Sequence, residues 1–285
     1  MPRDGSGRLE LATWMTDPKH PLTARVIVNR LWQWHFGRGI VDTANDFGSR
    51  GSTPTHPELL DWLAATFVEQ GWSMKKLHYT IMTSATYRQG SAGGDPRPEA
   101  RGQRSDSTAL LASFPRRRLE VEAIYDAMLA STGKVARQTP GEPLDFSRSA
   151  DRMMYVLTSG RSPAGLGGEI RKMFSVFDYD PTGEPLARRE SSNTPAQSLF
   201  WLNNPIPKHF AGVLAKQLIA LDKMTDEQRL DRVYLLAIGR EPAKDVKAAV
   251  MVFIADQEKT GAGQEGIWKQ VCLAVFASNE FRYLD

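Results

Sequence analysis

Residues 22–39, LTARVIVNRLWQWHFGRG, decide the fold class. The apolar residues Leu22, Val26, Ile27, Leu31 and Trp34 recur at spacings of three and four, the period of an amphipathic helix with a wide apolar stripe. Gly37 and Gly39 predict where that helix stops, because glycine enters the left-handed conformation of a helix terminus without steric penalty. Further along, Thr55, Pro57 and Glu58 predict a second helix start. Thr55 is the expected cap, Glu58 closes a capping box three residues later, and Pro57 occupies the first turn, where its absent N–H is not missed. Leu59, Leu60, Leu63 and Phe67 carry that helix to Gly71, and Ser73 predicts the cap of another with Leu77, Ile81 and Met82.

Residues 90–108, GSAGGDPRPEARGQRSDST, interrupt the pattern with glycine, proline, serine and charge, and predict a loop or linker. Helical period returns over 119–129 before Gly133, and again over 195–202, 206–221, 226–238, 243–257 and 266–277. Between these, 153–158 (MMYVLT) is short and partly β-branched, so it is the one expected strand. The expected protein is mostly α, with two helical clusters joined by an irregular, loop-rich middle and at most a small β element. In residue terms this is a helical cluster over 1–90, a linker or loop over 91–108, and a second helical region over 109–285 with an irregular insert at about 137–193, all of which can pack as one domain.

A chain of 285 residues suits one large domain or two ordinary ones. Its net charge of +3 is spread evenly: residues 1–90 carry 10 basic and 8 acidic groups, and 206–285 carry 11 of each. No segment concentrates enough cation to track phosphates, so nucleic acid is not an expected partner. One cysteine, Cys272, excludes an intrachain disulfide, a cysteine-based zinc site and covalent haem attachment, and its setting in VCLAVF predicts a core residue. No apolar run is long enough for a membrane span, and Asp4, Arg8 and Glu10 interrupt any signal-peptide core.

Chemistry-bearing residues are densest at 32–46. Trp32, His35, Arg38 and Asp46, with His56 nearby, are residue types that stack on a sugar, hold an anion or accept hydroxyls; equally, Trp32 and Trp34 at helical spacing suit a core. Asp178 and Arg188 of the irregular middle extend that candidate set, with Asp178, Asp180 and Glu184 as carboxylates for acid–base work. The histidines, His20, His35, His56, His78 and His209, form no HExxH or HxH pattern, so spacing predicts no metal site. Nucleophile elbow, phosphate-binding loop and dinucleotide fingerprint are all missing. Arg116, Arg117 and Arg118 suit either phosphate binding or a solvated lead-in to the next helix.

Seven blocks, in order along the chain, resemble one family: PLTARVIVNRLWQWHFGRGIV (21–41), NDFGSRG (45–51), PTHPELLDWLA (54–64), TSATYRQ (83–89), TPAQSLFWLNN (194–204), LLAIGREP (235–242) and SNEFRYLD (278–285). Together they resemble the planctomycete-type domain of unknown function 1553. The resemblance implies the C-terminal part of a large exported protein, often with a cytochrome c-like module, and hence the periplasm or cell envelope. It carries no catalytic residues. Without a CxxCH motif this chain holds no haem of its own, so any haem is expected on an upstream module, and the chain looks like a C-terminal fragment or split gene product. The expected function is a non-catalytic helical interaction or scaffolding module beside upstream domains or a cytochrome c-like partner. The alternative is a glycan-binding or hydrolytic site built from Trp32, His35, Arg38, Asp46 and His56.

Overall fold

In the computed structural model, which describes residues 5–91, 110–136, 152–155, 168–179, 186–189 and 191–284, helical period becomes twelve α-helices among the described residues. A single two-stranded sheet accompanies them, β1 (Arg117–Arg118) with β2 (Tyr283–Leu284), so the chain is mostly α as expected. Contacts divide it into two compact units, Met1–Arg117 and Arg118–Leu284. The expected linker falls, but for Ser91, outside the described residues, as does most of the irregular insert.

The first unit comprises α1 (Arg8–Met15), α2 (Thr23–Phe36), α3 (Pro57–Glu69) and α4 (Met74–Thr83), the last three packed on one another. Gly37 ends α2 at φ +76°, and the Ser73 hydroxyl caps α4 by accepting from the Lys76 N–H (3.4 Å), both as predicted. The buried stripe of α2 differs from the predicted one. It runs through Ala24, Val28, Leu31, Trp32 and Phe36, whereas Leu22, Ile27 and Trp34 are exposed. Asn29 and Gln33, polar and therefore assigned to solvent by pattern, lie on the buried face and turn it around the helix.

Asn29 is there because the chain after α2 folds back over it. Its amide donates to the Val41 carbonyl (2.9 Å) and accepts from the Val41 N–H (2.8 Å), so one side chain pairs both backbone groups of a buried residue. The approach is close enough that a Cβ on Gly39 would stand 2.5 Å from the Val41 oxygen and 2.6 Å from the Asn29 amide nitrogen. Beyond Val41, the Thr43 hydroxyl donates to the Asp46 carbonyl (2.7 Å) and accepts from the Ser52 N–H (2.9 Å). Thr55 then pairs with the Ile40 carbonyl through its N–H (2.9 Å) and hydroxyl (3.3 Å). That engagement removes it as a helix cap: His56 takes the cap position of α3, and the predicted capping box does not form.

The second unit holds α5 (Val121–Ser131), α6 (Gly168–Val176), α7 (Pro195–Asn203), α8 (Pro205–Ile219), α9 (Asp226–Ala237), α10 (Lys244–Lys259), α11 (Gln264–Ala277) and α12 (Asn279–Arg282). Its centre is α11, which packs against α7, α8, α9, α10 and α12 and buries Ile267, Trp268, Cys272 and Phe276 completely. Small residues let α8 approach: Ala211 and Ala215 are fully buried, and a Cβ on Gly212 would lie 3.8 Å from the Lys269 stem. The helix expected from Leu119 starts at Val121, because the Leu119 N–H is taken by the Arg282 carbonyl (2.8 Å). The expected strand at 153–158 is corrected: Met153–Tyr155 is a 3-10 turn, and 156–158 lie outside the described residues. Asp126 explains the turn, since its carboxylate accepts from the Met153 N–H (2.7 Å) and pairs with Arg152 (3.0 Å), drawing in Met153 while Met154 stays in solvent.

Replacing Asn29 by leucine keeps the branched shape of the side chain and removes both bonds to Val41. Each buried backbone group left unpaired costs ~1–3 kcal/mol, so Asn29→Leu is expected to destabilise the first unit by about 2–4 kcal/mol. Denaturant unfolding followed by tryptophan fluorescence checks this, and an unchanged midpoint would remove the clamp from the account of the loop.

Candidate functional site

Five of the seven candidate residues belong to the first unit, on the end of α2 and the loop it holds. Trp32 is buried, its ring tilted against Phe36 at 4.3 Å, so it is a core residue. Arg38 pairs with Asp42 at 2.9 Å one turn on. Asp46 accepts the Gly48 N–H (2.9 Å) in a local turn, and His56 meets the Thr55 hydroxyl through Nδ1 (3.0 Å) at the start of α3. Each is engaged by a different neighbour.

His35 has the most distinctive setting. Its Nε2 lies 2.7 Å from Nδ1 of His78 on α4, and Tyr87 meets its ring edge-on at 5.4 Å. At that separation one nitrogen donates and the other accepts, so the bond holds a single proton. Burial, then the charges of His78 and Arg117, push the pKa of His35 down to about 4. His35 is thus neutral at neutral pH, and both rings are half-buried. His78 was not singled out from sequence: it stands 43 residues from His35, and only the packing of α2 on α4 joins them.

Asp178 and Arg188 belong to the second unit. Arg188 is exposed, and it is Arg189 that reaches Glu122 (2.6 Å) and Glu120 (3.1 Å) and lies over the Tyr179 ring at 5.5 Å. Asp178, at φ +60°, faces inward. The Arg118 guanidinium, its side chain 7% exposed, donates to the Asp178 carboxylate (2.7 Å), to Gln197 Oε1 (2.7 Å) and to the Ser192 carbonyl, and it sits over the Phe177 ring at 5.5 Å. Ser192 returns its N–H (2.9 Å) and hydroxyl (2.6 Å) to Asp178, while Gln197 donates to the Val176 carbonyl (3.0 Å). Burial works to raise the Asp178 pKa, but the Ser192 bonds and Arg118 outweigh it and hold the carboxyl below the ordinary carboxylate range. The terminal guanidinium nitrogens of Arg118, the Asp178 carboxylate, the Ser192 hydroxyl and the Gln197 amide all point at another member or at local backbone. It is a lock on irregular chain, and Arg118 is part of it instead of a solvated lead-in to α5.

Two clefts are lined by other residues. One, of about 590 Å³, runs between α9, α10 and α11; the other, of about 500 Å³, is bordered by Gln70, Lys75, Lys76, Tyr79 and Thr80. Among the described residues no group of three or more His, Cys, Asp or Glu is placed to hold a metal ion, and no helix is long and apolar enough to cross a membrane.

The His35 couple has a pH signature. Unfolded, the imidazole titrates near its ordinary 6.5; folded, near 4. Between those values the unfolded state takes up a proton that the folded state refuses, so stability is level above pH 6.5 and falls as pH drops toward 4. With the half-buried ring still screened by water, the expected loss is roughly 1–2 kcal/mol. Thermal midpoints at pH 7, 5.5 and 4.5 should fall less for His35→Gln than for the native chain, carboxylate effects being common to both; parallel falls would refute the assignment.

Comparison with known proteins gives one match. The model of the family described as protein of unknown function DUF1553 covers residues 7–254. No curated protein and no solved structure matches the chain. The matched residues take in every resembling block except the terminal 278–285, and the chain belongs to the DUF1553 family.

Proposed function

We propose that the chain is a non-catalytic interaction module that works beside a partner domain in an exported protein of the cell envelope. The observation that carries the reading is the exposure of one large aromatic ring on each of three mutually packed helices: Trp34 of α2 (61%), Trp62 of α3 (54%) and Tyr79 of α4 (72%). Tryptophan and tyrosine left in water are the residues from which binding hot spots are made, because each buries a large rigid area at small entropic cost when a partner arrives. Met82 of α4 and Ile27 of α2 add to the same apolar supply. The family resemblance supplies the partner classes, an upstream domain or a cytochrome c-like module, and any haem belongs to that partner. Even charge argues against nucleic acid as an alternative.

The test is calorimetric titration of the purified chain with the upstream and cytochrome c-like domains encoded with family members. Binding to one of them is expected, with Trp34→Ala and Trp62→Ala each weakening it tenfold or more while leaving the fold intact, since both rings lie outside the core. No heat with either domain, or binding that ignores all three aromatic positions, would overturn the reading. A heat of binding with an envelope oligosaccharide, lost in a folded His35→Ala variant, would replace it with the glycan-site alternative.

A further inference from the structure

Two other apolar surfaces of the chain lie uncovered among the described residues, and their shapes match. The first is α1. None of its residues is buried, and Leu9, Leu11, Trp14 and Met15 are 76, 55, 60 and 47% exposed. Trp14 meets the His20 ring edge-on at 4.3 Å and otherwise faces water with the rest. Side chains of a helix advance by about 100° per residue, which sets Trp14, Leu11, Met15 and Ala12 on one continuous face with Arg8 at its N-terminal end. An isolated helix of eight residues is marginal in water, so this face gains by being covered.

The second is the cleft of about 590 Å³ in the Arg118–Leu284 unit. Val246, Val250 and Phe253 line it from α10, Val271 and Val275 from α11, and Tyr234 from α9. The α11 and α9 side is buried, whereas the α10 side is half-buried, so a trough of apolar side chains opens between them. The short connection over 260–263 sets α10 and α11 antiparallel, and at the end where α10 begins Glu280 closes the trough, paired with Arg240 at 3.1 Å.

Length, charge and area point to the same occupant. The wall from Val246 to Phe253 is two turns, about 10.5 Å, and the eight residues of α1 span about 12 Å. The cation of Arg8 ends the apolar face of α1, and the anion of Glu280 ends the trough. The face of Leu11, Ala12, Trp14 and Met15, with the Arg8 stem, offers on the order of 400 Å². One such contact, counted on both partners, buries about 800 Å², the size of an incidental contact; two contacts related by a two-fold axis bury about 1,600 Å², the size of a specific interface. We propose that α1 of one copy docks in the α9–α11 cleft of a second copy and receives the same contact in return, so that the chain forms a two-fold dimer.

Sedimentation velocity of the purified chain from 1 to 100 µM tests this. A concentration-dependent shift to twice the chain mass is expected. Trp14→Glu and Arg8→Glu on α1, and Ala249→Glu on the cleft lining, should each raise the dimer dissociation constant at least tenfold. The α1 residues bury nothing, so those variants keep the fold even if Ala249→Glu disturbs α10; circular dichroism verifies each. Mixing Trp14→Glu with Ala249→Glu restores one of the two contacts, and the mixture should sediment as a weak heterodimer at concentrations where each variant is monomeric. A chain monomeric at 100 µM, a dimer indifferent to the α1 variants, or a mixture no more associated than its parts would overturn the proposal. None of these results touches the exposed rings of α2, α3 and α4, which have their own test.

Discussion

Backbone that enters a protein interior must be hydrogen-bonded there, and both units meet this demand with side chains instead of regular structure. In the first, Asn29 pairs both backbone groups of Val41 and so allows the long segment between α2 and α3 to cross the helix that precedes it. In the second, Gln197 holds the Val176 carbonyl and Arg118 the Ser192 carbonyl, fixing the chain on either side of the undescribed residues 180–185. Some buried side-chain groups go without a partner among the described residues, the indole N–H groups of Trp201 and Trp268 among them. Burying a tryptophan ring removes ~150–250 Å² from water, about 4–6 kcal/mol, against ~1–3 kcal/mol for one unmet donor, so packing prevails at those two positions.

That demand also explains which parts of the architecture were legible in sequence. Helix existence follows from local spacing for α2–α5 and α7–α11, whereas the short α1, α6 and α12 go unpredicted, α6 lying within the stretch expected to be irregular; local chemistry places ends such as Gly37 and Ser73 correctly. What spacing misses is any polar residue recruited by distant backbone. Asn29 looked like solvent face and is fully buried, which turned the predicted stripe of α2 and left Trp34 outside. Thr55 looked like a cap and is spent on Ile40; Leu119 looked helical and is spent on Arg282. The candidate site fared likewise. Residue types at 32–56 marked a chemically dense region, yet His35 finds its partner 43 residues away, and Arg118 meets Asp178 across 60, separations at which one sequence carries no signal.

The one thiol of the chain is chemically quiet. Burial pushes the Cys272 thiol up to about 12, so it stays protonated and non-nucleophilic at any ordinary pH. The Ser192 hydroxyl donates to Asp178, and that carboxylate is held by Arg118, a set whose members neutralise one another. The His35–His78 couple keeps one shared proton between half-buried rings. The two hydrogen-bonded sets also hold local structure in place.

Several ion pairs of the surface are local. Arg38–Asp42, Lys172–Glu169, Arg229–Asp226 and Lys259–Asp256 are pairs three or four residues apart on one helix or turn, close enough to cancel locally and exposed enough to add little stability, ~0–1 kcal/mol each. A surface whose charges cancel over one helical turn projects little field beyond a Debye length and offers a charged ligand little steering. In the proposed contacts the main recognition groups are the apolar side chains left in water on α1, on α2–α4 and in the α9–α11 cleft, with Arg8 and Glu280 at the ends of the α1 contact. For such a surface, affinity is set by how completely a partner excludes water from the aromatic rings, and it should therefore depend weakly on salt.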